Sequence, residues 1–361
     1  MPVELKRAPF GTLADGRSVE AFTLSNPSGV TARIISYGAT LQSLIVPDAL
    51  GNRADLVLGY ADLESYVSKP EYLGSTIGRV ANRIAKGRFT LDGKTYETSR
   101  SDGEHTLHGG RQGFDKVPWR VVGTTTRTNA SVTLEHVSPD GDQGFPGTVT
   151  ATALYSLNDQ NELYIEYRAT TDRPTVVGMT NHAIWNLAGE GSDDGAMNQW
   201  LTIPADRYTP VDTTLIPTGE LRPVAGTAFD FRVAKPIVRD LRDVRDRQIE
   251  FGRGFDHNWV ISNTPVDEVR LVARAENRAN GRVLEVLSDQ PGIQFYSGNF
   301  LNGTRAGKSG RFYRQGDGFA LEPQAFPDTV NRPAFGSARL APGETYRSRI
   351  VYRLSVSKVS G

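Results

Sequence analysis

Apolar and polar residues alternate along most of the chain, which is the period-two pattern of β-strands with one buried face. Residues 131–135 and 163–169 alternate cleanly, and residues 344–356 predict a last strand of the same kind. Residues 30–37 and 40–46 predict two further strands on either side of Gly38. A helical period is rare, so the pattern indicates an all-β protein with little helix.

Turn signals separate these strands. Asp92-Gly93 and Asn280-Gly281 lie between alternating segments and predict β-hairpins. The 37 glycines and 20 prolines punctuate the whole chain rather than cluster. Asp62 is a plausible N-cap for one short helical turn over residues 62–66. We therefore predict one large antiparallel β-sandwich that spans residues 1–361 as a single domain.

The composition argues against several classes of function. Lys+Arg and Asp+Glu number 41 each, and this balance argues against a nucleic-acid or acidic-membrane partner. The absence of cysteine excludes disulfides, thiolate catalysis and cysteine-based metal sites. No run approaches the roughly 18 apolar residues of a membrane span. The N-terminus lacks a signal peptide's apolar core, so we expect a cytoplasmic protein, or a periplasmic one if a signal was removed. No pattern indicates an oligomeric state.

One acidic residue lies in apolar surroundings within residues 319–328. Phe319 and Leu321 predict the end of a buried strand, and Pro323 is expected to stop that strand because proline has no N–H. Glu322 would then be partly walled by apolar side chains, which would raise its pKa toward the range useful for proton transfer. Because most glutamates are exposed, this stretch alone favours a solvated side chain at the start of a loop.

Two other stretches place polar side chains among apolar and aromatic residues. His182 lies within residues 179–187, beside two asparagines. A lone histidine there is more often a satisfied core residue than a catalyst, although its surroundings can tune its pKa. Residues 254–260 place Asp256, an imidazole and an amide between two aromatic residues. A sugar pocket needs this combination, and a strand edge with incidental polar residues is the alternative.

Basic and histidine-containing segments leave more than one interpretation open. Residues 78–88 form a basic run that predicts either a solvated face or donors held near a ligand. His105 and His108 are three residues apart, but without a helix or a third ligand they are weak evidence for a metal site. Residues 303–309 look like a phosphate-binding loop, yet the spacing between their glycines is one residue too short.

Seven motifs along the chain carry a family resemblance. They are Gly78-Arg79-Val80-Ala81-Asn82-Arg83-Ile84, Leu107-His108-Gly109-Gly110, Thr180-Asn181-His182, Trp185-Asn186-Leu187-Ala188-Gly189, Phe255-Asp256-His257-Asn258, Gln290-Pro291-Gly292-Ile293-Gln294-Phe295-Tyr296-Ser297-Gly298-Asn299-Phe300 and Leu321-Glu322-Pro323-Gln324. With these motifs in this order, the chain resembles the aldose 1-epimerases, also called galactose mutarotases. The resemblance implies an antiparallel β-supersandwich with a sugar in an open cleft. It also implies interconversion of the α and β anomers of free aldoses such as galactose and glucose.

The resemblance also implies roles for individual residues. Glu322 matches the general base and His182 the general acid of ring opening, while the sugar-binding positions match Asn82, Arg83, His108, Asp256 and Gln294. Such a reaction removes a proton from the C1 hydroxyl and adds one to the ring oxygen. We therefore expect an ionised Glu322 and a protonated His182 in the resting enzyme, with no metal, nucleotide or other cofactor.

One position departs from the family pattern. Ile184 stands where the family often has a tyrosine or a similar polar aromatic residue, which bears on sugar preference. Two main alternatives remain at this point: a non-catalytic carbohydrate-binding module, and a related enzyme that acts on sugar phosphates through Arg79, Arg83 and Lys86. A metal enzyme built on His105 and His108 is the least favoured.

Overall fold

The computed structural model describes residues 3–69 and 71–358, which are mostly β-strands. The first ten strands are β1 (Glu4–Thr12), β2 (Ser18–Ser25), β3 (Thr31–Ile35), β4 (Thr40–Pro47), β5 (Arg53–Asp55), β6 (Thr76–Ile77), β7 (Arg83–Ile84), β8 (Arg88–Leu91), β9 (Lys94–Glu97) and β10 (Thr106–Leu107). The next ten are β11 (Arg120–Thr126), β12 (Ala130–Ser138), β13 (Val149–Leu157), β14 (Glu162–Thr171), β15 (Thr175–Val176), β16 (Thr180–Asn181), β17 (Ile184–Trp185), β18 (Trp200–Thr202), β19 (Arg207–Thr209) and β20 (Arg222–Pro223). The last ten are β21 (Lys235–Pro236), β22 (Asp256–Val260), β23 (Arg270–Glu276), β24 (Arg282–Ser288), β25 (Gly292–Tyr296), β26 (Asn302–Ala306), β27 (Phe312–Arg314), β28 (Phe319–Gln324), β29 (Arg339–Leu340) and β30 (Tyr346–Val356).

Helix is confined to short segments. The α-helices are α1 (Leu63–Ser68) and α2 (Arg247–Gly252), and the 3₁₀ turns are Ala85–Gly87, Phe114–Lys116, Asp142–Gly144, Ile237–Arg239, Thr329–Asn331 and Pro333–Phe335. The Asp62 side chain caps α1 by accepting a hydrogen bond from the backbone N–H of Ser65, as the sequence predicted. Within the described ranges, no helix has the length and hydropathy that crossing a bilayer requires.

Three antiparallel sheets build the core. Their strand orders are β1-β2-β3-β4-β5, β11-β12-β13-β14-β30-β24-β23-β18-β21 and β17-β28-β25-β22-β19-β20. One apolar cluster contains residues from all three, for example Ile34 of β3, Ile165 of β14 and Leu321 of β28. Trp185 packs edge-on against Tyr352, which joins the six-stranded to the nine-stranded sheet. The predicted all-β architecture is confirmed.

Local sequence signals account for several strand junctions. Asp92-Gly93 joins the paired strands β8 and β9, and the segment that contains Asn280-Gly281 joins β23 and β24. In the last strand the even-numbered positions from Ser348 to Leu354 are buried, as alternation predicts, although Val351 between them is buried as well. Val356 departs from the pattern because half of its surface is exposed.

The expectation that Pro323 stops its strand is wrong. Strand β28 continues to Gln324, with Pro323 opposite Ile293 of β25. The other neighbour, β17, pairs only with Phe319 and Ala320, so Pro323 is bordered by a ladder on one side alone. Proline is tolerated at such edge positions because its missing N–H is not required there.

The six-stranded sheet has one apolar and one polar face. Side chains alternate across a strand, so Leu321 and Ile293 point into the core. Glu322 pairs with Gln294 across β28 and β25, and Gln294 pairs with Asn258 of β22. Polar side chains therefore form a row on the face that points away from the core.

Candidate functional site

A central pocket of about 230 Å³ opens over the polar face of the six-stranded sheet. Six of the seven site residues expected from the sequence line it, namely Asn82, Arg83, His108, His182, Asp256 and Glu322. The seventh, Gln294, supports the wall from behind through a 2.7 Å hydrogen bond from its amide to Asp256. Strands and turns that are far apart in sequence thus bring the predicted residues together.

Glu322 is a buried carboxyl rather than a solvated loop residue. Only 2% of its surface is exposed, and its Oε2 atom has no hydrogen-bond partner among the described residues. Burial raises the pKa of Glu322 well above its usual value, and the nearby charge of Asp256 raises this pKa further. Glu322 also lines the central pocket, so a ligand bound there would contact this carboxyl.

His182 faces Glu322 across the pocket floor. Its Nε2 atom lies 3.7 Å from Oε1 of Glu322, and its backbone N–H donates to the carbonyl of Ser75, just before β6. Burial lowers the pKa of His182 to about 4, so the imidazole is neutral at neutral pH. An imidazole and a carboxyl at this separation can each reach one of two neighbouring oxygens of a small ligand.

These pKa directions correct the expected charge state. The sequence-based expectation was an ionised Glu322 and a protonated His182 in the resting protein. Burial disfavours both ions: it leaves His182 neutral at neutral pH and strengthens the hold of Glu322 on a proton, so a single proton bound by the pair lies on Glu322. Moving that proton from Glu322 to His182 produces the expected pair without changing the number of bound protons, and the two groups titrate as a coupled unit.

His108 is fixed as a hydrogen-bond donor by Asn82. The backbone N–H of Asn82 donates to Nδ1 of His108 at 3.2 Å, and the backbone N–H of His108 donates to the Asn82 carbonyl at 3.0 Å. Burial lowers the pKa of His108 well below its usual value. A neutral ring whose Nδ1 accepts must carry its proton on Nε2, and it can donate that proton to a ligand.

Backbone conformation at this turn is unusual. Asn82 and His108 both have left-handed φ values, of 59° and 53°. Such values are uncommon outside glycine and cluster at functional sites. Gly109, at φ 85°, follows His108, and a Cβ atom there would overlap the carbonyl of Gly78. The turn therefore depends on glycine for its close approach to a neighbouring backbone.

Arg83 brings a cation into the pocket between two acids. Its Nε donates to Asp102 at 2.8 Å, and its Nη1 lies 3.9 Å from Asp256. Burial raises the pKa of Asp256, while the Arg83 charge and the Gln294 hydrogen bond lower it. A guanidinium, a carboxyl and an imidazole donor around one small pocket match the alternating donors and acceptors of sugar hydroxyls.

The same cluster is a poor metal site. Ligand atoms of His108, His182 and Glu322 lie within 4.8 Å of one another. However, a metal at Nε2 of His108 would displace the proton that the Asn82 contact places there. His105 is not part of the cluster, since its Nδ1 accepts from the backbone N–H of Lys86. The cluster therefore fits hydrogen bonding better than metal coordination.

The basic run separates into residues with different roles. Arg79 is buried and bonds to Ser138, Pro139 and Pro146, away from the central pocket. Lys86 is exposed and does not line the pocket. Only Arg83 reaches it, so the three cations that would mark a sugar-phosphate enzyme do not gather there.

Sequence reasoning missed part of the wall. Glu71 and Tyr72 line the pocket from the loop after α1, and Phe300 and Leu301 line it after β25. The Tyr72 ring lies 4.7 Å from that of His108, centroid to centroid. No alternation or turn signal marks residues 71–72, whereas the amide-rich and aromatic segment 290–300 was a recognisable motif. Ile184 also lines the pocket and adds an apolar surface.

Comparison with known proteins gives consistent matches over nearly the whole chain. The family model described as Aldose 1-epimerase matches residues 20–353. Galactose mutarotase of Rattus norvegicus is 45% identical over 356 residues, 98% of this chain and 100% of that protein. Aldose 1-epimerase of Escherichia coli (strain K12) is 41% identical over 342 residues, 94% of this chain and 96% of that protein.

Solved structures agree with these matches. The crystal structure of galactose 1-epimerase from Lactobacillus acidophilus NCFM has a TM-score of 0.87 at 28% identity, and covers 99% of this chain and 100% of that chain. An aldose epimerase homologue from C. elegans has a TM-score of 0.83 at 34% identity, and covers 92% and 98%.

Proposed function

The chain belongs to the aldose 1-epimerase family, and we propose that Glu322 and His182 carry out its proton transfers. It is an isomerase that interconverts the α and β anomers of free aldoses such as D-galactose and D-glucose. We further propose that residues 1–361 form one aldose 1-epimerase domain and that the protein is cytoplasmic.

Ring opening requires two proton transfers at different oxygens of the sugar. The Glu322 carboxylate removes the proton of the C1 hydroxyl, and protonated His182 donates to the ring oxygen as the bond between C1 and that oxygen breaks. Rotation about C1–C2 then presents the other face of the aldehyde. Reclosure reverses both transfers, so the enzyme returns with the one proton that it began with.

A single proton bound by the resting pair is suitably placed for both transfers. That proton lies on Glu322 rather than on His182, because burial raises the pKa of Glu322 and lowers that of His182, and His182 Nε2 is 3.7 Å from Oε1 of Glu322. A proton shift toward His182 generates the reactive base and acid together, and the sugar's hydroxyl groups can hydrogen-bond both ions once it displaces water. Separate uptake of a proton from solvent is not required.

The remaining polar groups hold the sugar. His108 donates from Nε2, Arg83 donates from its guanidinium, and Asp256 accepts. Gln294 positions the Asp256 carboxyl through its 2.7 Å hydrogen bond, and Asn82 fixes the tautomer of His108. Directional contacts of this kind keep C1 and the ring oxygen aligned with Glu322 and His182.

The observation that carries the catalytic assignment is the buried Glu322–His182 pair on the floor of the central pocket. Polarimetry of freshly dissolved α-D-galactose and α-D-glucose tests it. Glu322→Gln and His182→Ala should each lower kcat by about 10²- to 10⁴-fold, the usual contribution of a general acid or base. Glu268→Gln, at an exposed position, is the matched carboxylate-to-amide control.

Two outcomes would count against the assignment. Full activity of either variant would remove that residue from the chemistry. A wild-type protein that equilibrates galactose, glucose, arabinose and xylose no faster than buffer would leave a carbohydrate-binding module as the better explanation.

A further inference from the structure

A second pocket, of about 380 Å³, adjoins the central pocket. Its walls, which define what we call the cationic pocket, are Tyr72, Arg100, Ser101, Gly103, Gly110, Arg111 and Lys116. Tyr72 lines both pockets and separates them. Three of the wall residues carry positive charge and none carries negative charge, in a chain whose formal net charge is zero.

The two arginines of the cationic pocket are not neutralised by the protein. Neither Arg100 nor Arg111 forms an ion pair with any acid in residues 3–69 or 71–358. The nearby Asp102 is paired with Arg83, and Lys116 is paired with Asp115 at 2.6 Å. Like charges gathered at one surface repel one another, and a bound anion would relieve that repulsion.

Arg111 is also held in place. Its Nε donates to the carbonyl of Arg100 at 2.8 Å, and its backbone N–H donates to the Ser99 hydroxyl at 3.0 Å. Its terminal nitrogens have no partner among the described residues, so they remain available. A guanidinium fixed through Nε with its terminal nitrogens free is prepared for the oxygens of a phosphate, because less side-chain freedom is lost on binding.

The cationic pocket is physically linked to the central pocket. The Tyr72 ring contacts the Lys116 ammonium at 4.6 Å, and its centroid is 5.7 Å from that of His182. His108 and Arg111 belong to one turn whose glycines, Gly109 and Gly110, have φ values of 85° and 104°. A group bound in either pocket therefore contacts a wall of the other.

We propose that the cationic pocket binds a phosphate group next to the sugar site, through Arg100, Arg111 and Lys116. The phosphate has two conceivable sources. It can be carried by a sugar whose ring occupies the central pocket, which would extend the substrate range to phosphorylated aldoses, or it can be free inorganic phosphate that acts on the site through Tyr72. Phosphate binding itself does not rest on the proposed function, whereas the effect on turnover does.

Direct binding is measured first, without turnover. Titration calorimetry with inorganic phosphate, at ionic strength held constant with chloride, should show saturable binding to the wild type. Arg100→Gln and Arg111→Gln should weaken that binding at least tenfold, while Arg127→Gln, at an exposed arginine outside the pocket, should not. The folded state of each variant is checked by its thermal unfolding.

Turnover then distinguishes the two sources. With a phosphorylated sugar as the source, Arg111→Gln lowers kcat/KM for glucose 6-phosphate at least tenfold more than for glucose. With free phosphate as the source, inorganic phosphate shifts the KM for galactose in the wild type but not in Arg111→Gln, and glucose 6-phosphate gains nothing over glucose.

The proposal is overturned if the wild type neither binds inorganic phosphate nor discriminates glucose 6-phosphate from glucose. It is equally overturned if Arg100→Gln and Arg111→Gln behave like Arg127→Gln in both measurements. Phosphate binding by a protein that does not equilibrate galactose would instead remove the proposed catalytic function and leave the anion site standing.

Discussion

Replacement of Arg79 by methionine should reduce stability but not activity, although Arg79 belongs to the same motif as the pocket residue Arg83. The Arg79 side chain is fully buried, and its guanidinium donates to the carbonyl oxygens of Ser138, Pro139 and Pro146 at 2.9, 2.7 and 2.8 Å. Burial lowers the pKa of Arg79 to about 10, which leaves it charged at neutral pH. Methionine retains the apolar stem but provides no donor for the three carbonyls.

The structure gives the size of the expected effect. Each buried acceptor that loses its donor costs about 1–3 kcal/mol. Removal of the buried charge also recovers part of its desolvation cost, so we use the lower bound of about 1 kcal/mol for each carbonyl. The three carbonyls together then give a loss of about 3 kcal/mol in the free energy of unfolding. Arg79 does not line the central pocket, so kcat/KM of the folded variant should stay within about twofold of wild type.

Urea unfolding followed by tryptophan fluorescence measures the first quantity, and polarimetry the second. Arg83→Met should show the opposite profile. Its ion-pair partner Asp102 is partly exposed, and the more distant Asp256 keeps its hydrogen bond from Gln294, so the stability loss should be about 1 kcal/mol, with kcat/KM at least tenfold lower. Arg127→Met, at an exposed position, should change neither. A loss below about 1 kcal/mol for Arg79→Met, or a large loss of kcat/KM in its folded form, would refute this division of roles.

Three further predictions follow from the site. The profile of kcat/KM against pH should fall on the acid side as His182 titrates near its pKa of about 4, and on the alkaline side as Glu322 titrates at its raised pKa. Both limbs are expected because activity needs one proton shared by the pair. An alkaline limb that survives in Glu322→Gln would contradict this prediction. Gly109→Ala should destabilise the protein far more than Gly16→Ala in thermal unfolding, since both have φ 85° but only Gly109 faces a backbone carbonyl at clashing distance. Gln294→Leu should raise the KM for galactose more than it lowers kcat, because Gln294 positions Asp256 rather than a reacting atom. A lower kcat with an unchanged KM would indicate a different role.

Local pattern predicted much of the fold because the strands are governed by alternation and the turns by glycine. In the structure the same period of two puts Glu322 on the opposite face of β28 from Leu321. The order of strands in the six-stranded sheet was not predictable, because β17, β28, β25 and β22 pair across long stretches of chain. The rule that proline ends a strand failed at Pro323, since whether that position has one neighbour or two depends on this strand order.

The site was only partly predictable for the same reason. The family resemblance of seven ordered motifs identified Glu322, His182 and Asp256, whereas the local setting of each residue alone left a structural interpretation open. Tyr72 had no such setting, and its place in the wall follows only from how the loop after α1 packs on the turn at His108. Arg79 illustrates the converse, since a residue in a recognisable motif proved to be a structural anchor rather than a ligand contact.

The charge state of the catalytic pair is the property least accessible to sequence. The motifs identify a base and an acid, and water near neutral pH would leave the carboxyl ionised and the imidazole mostly neutral. In the pocket, burial disfavours both ions, so a proton bound by the pair is held on Glu322. The side chain of Ile184 adds an apolar wall without a hydrogen bond for either ion. With one proton bound by the pair, the reactive arrangement requires a shift of that proton toward His182, whose Nε2 is 3.7 Å from Oε1 of Glu322, rather than a change in the number of bound protons. The surroundings of Glu322 and His182 therefore determine the position of the proton, while their identities determine that it can be moved.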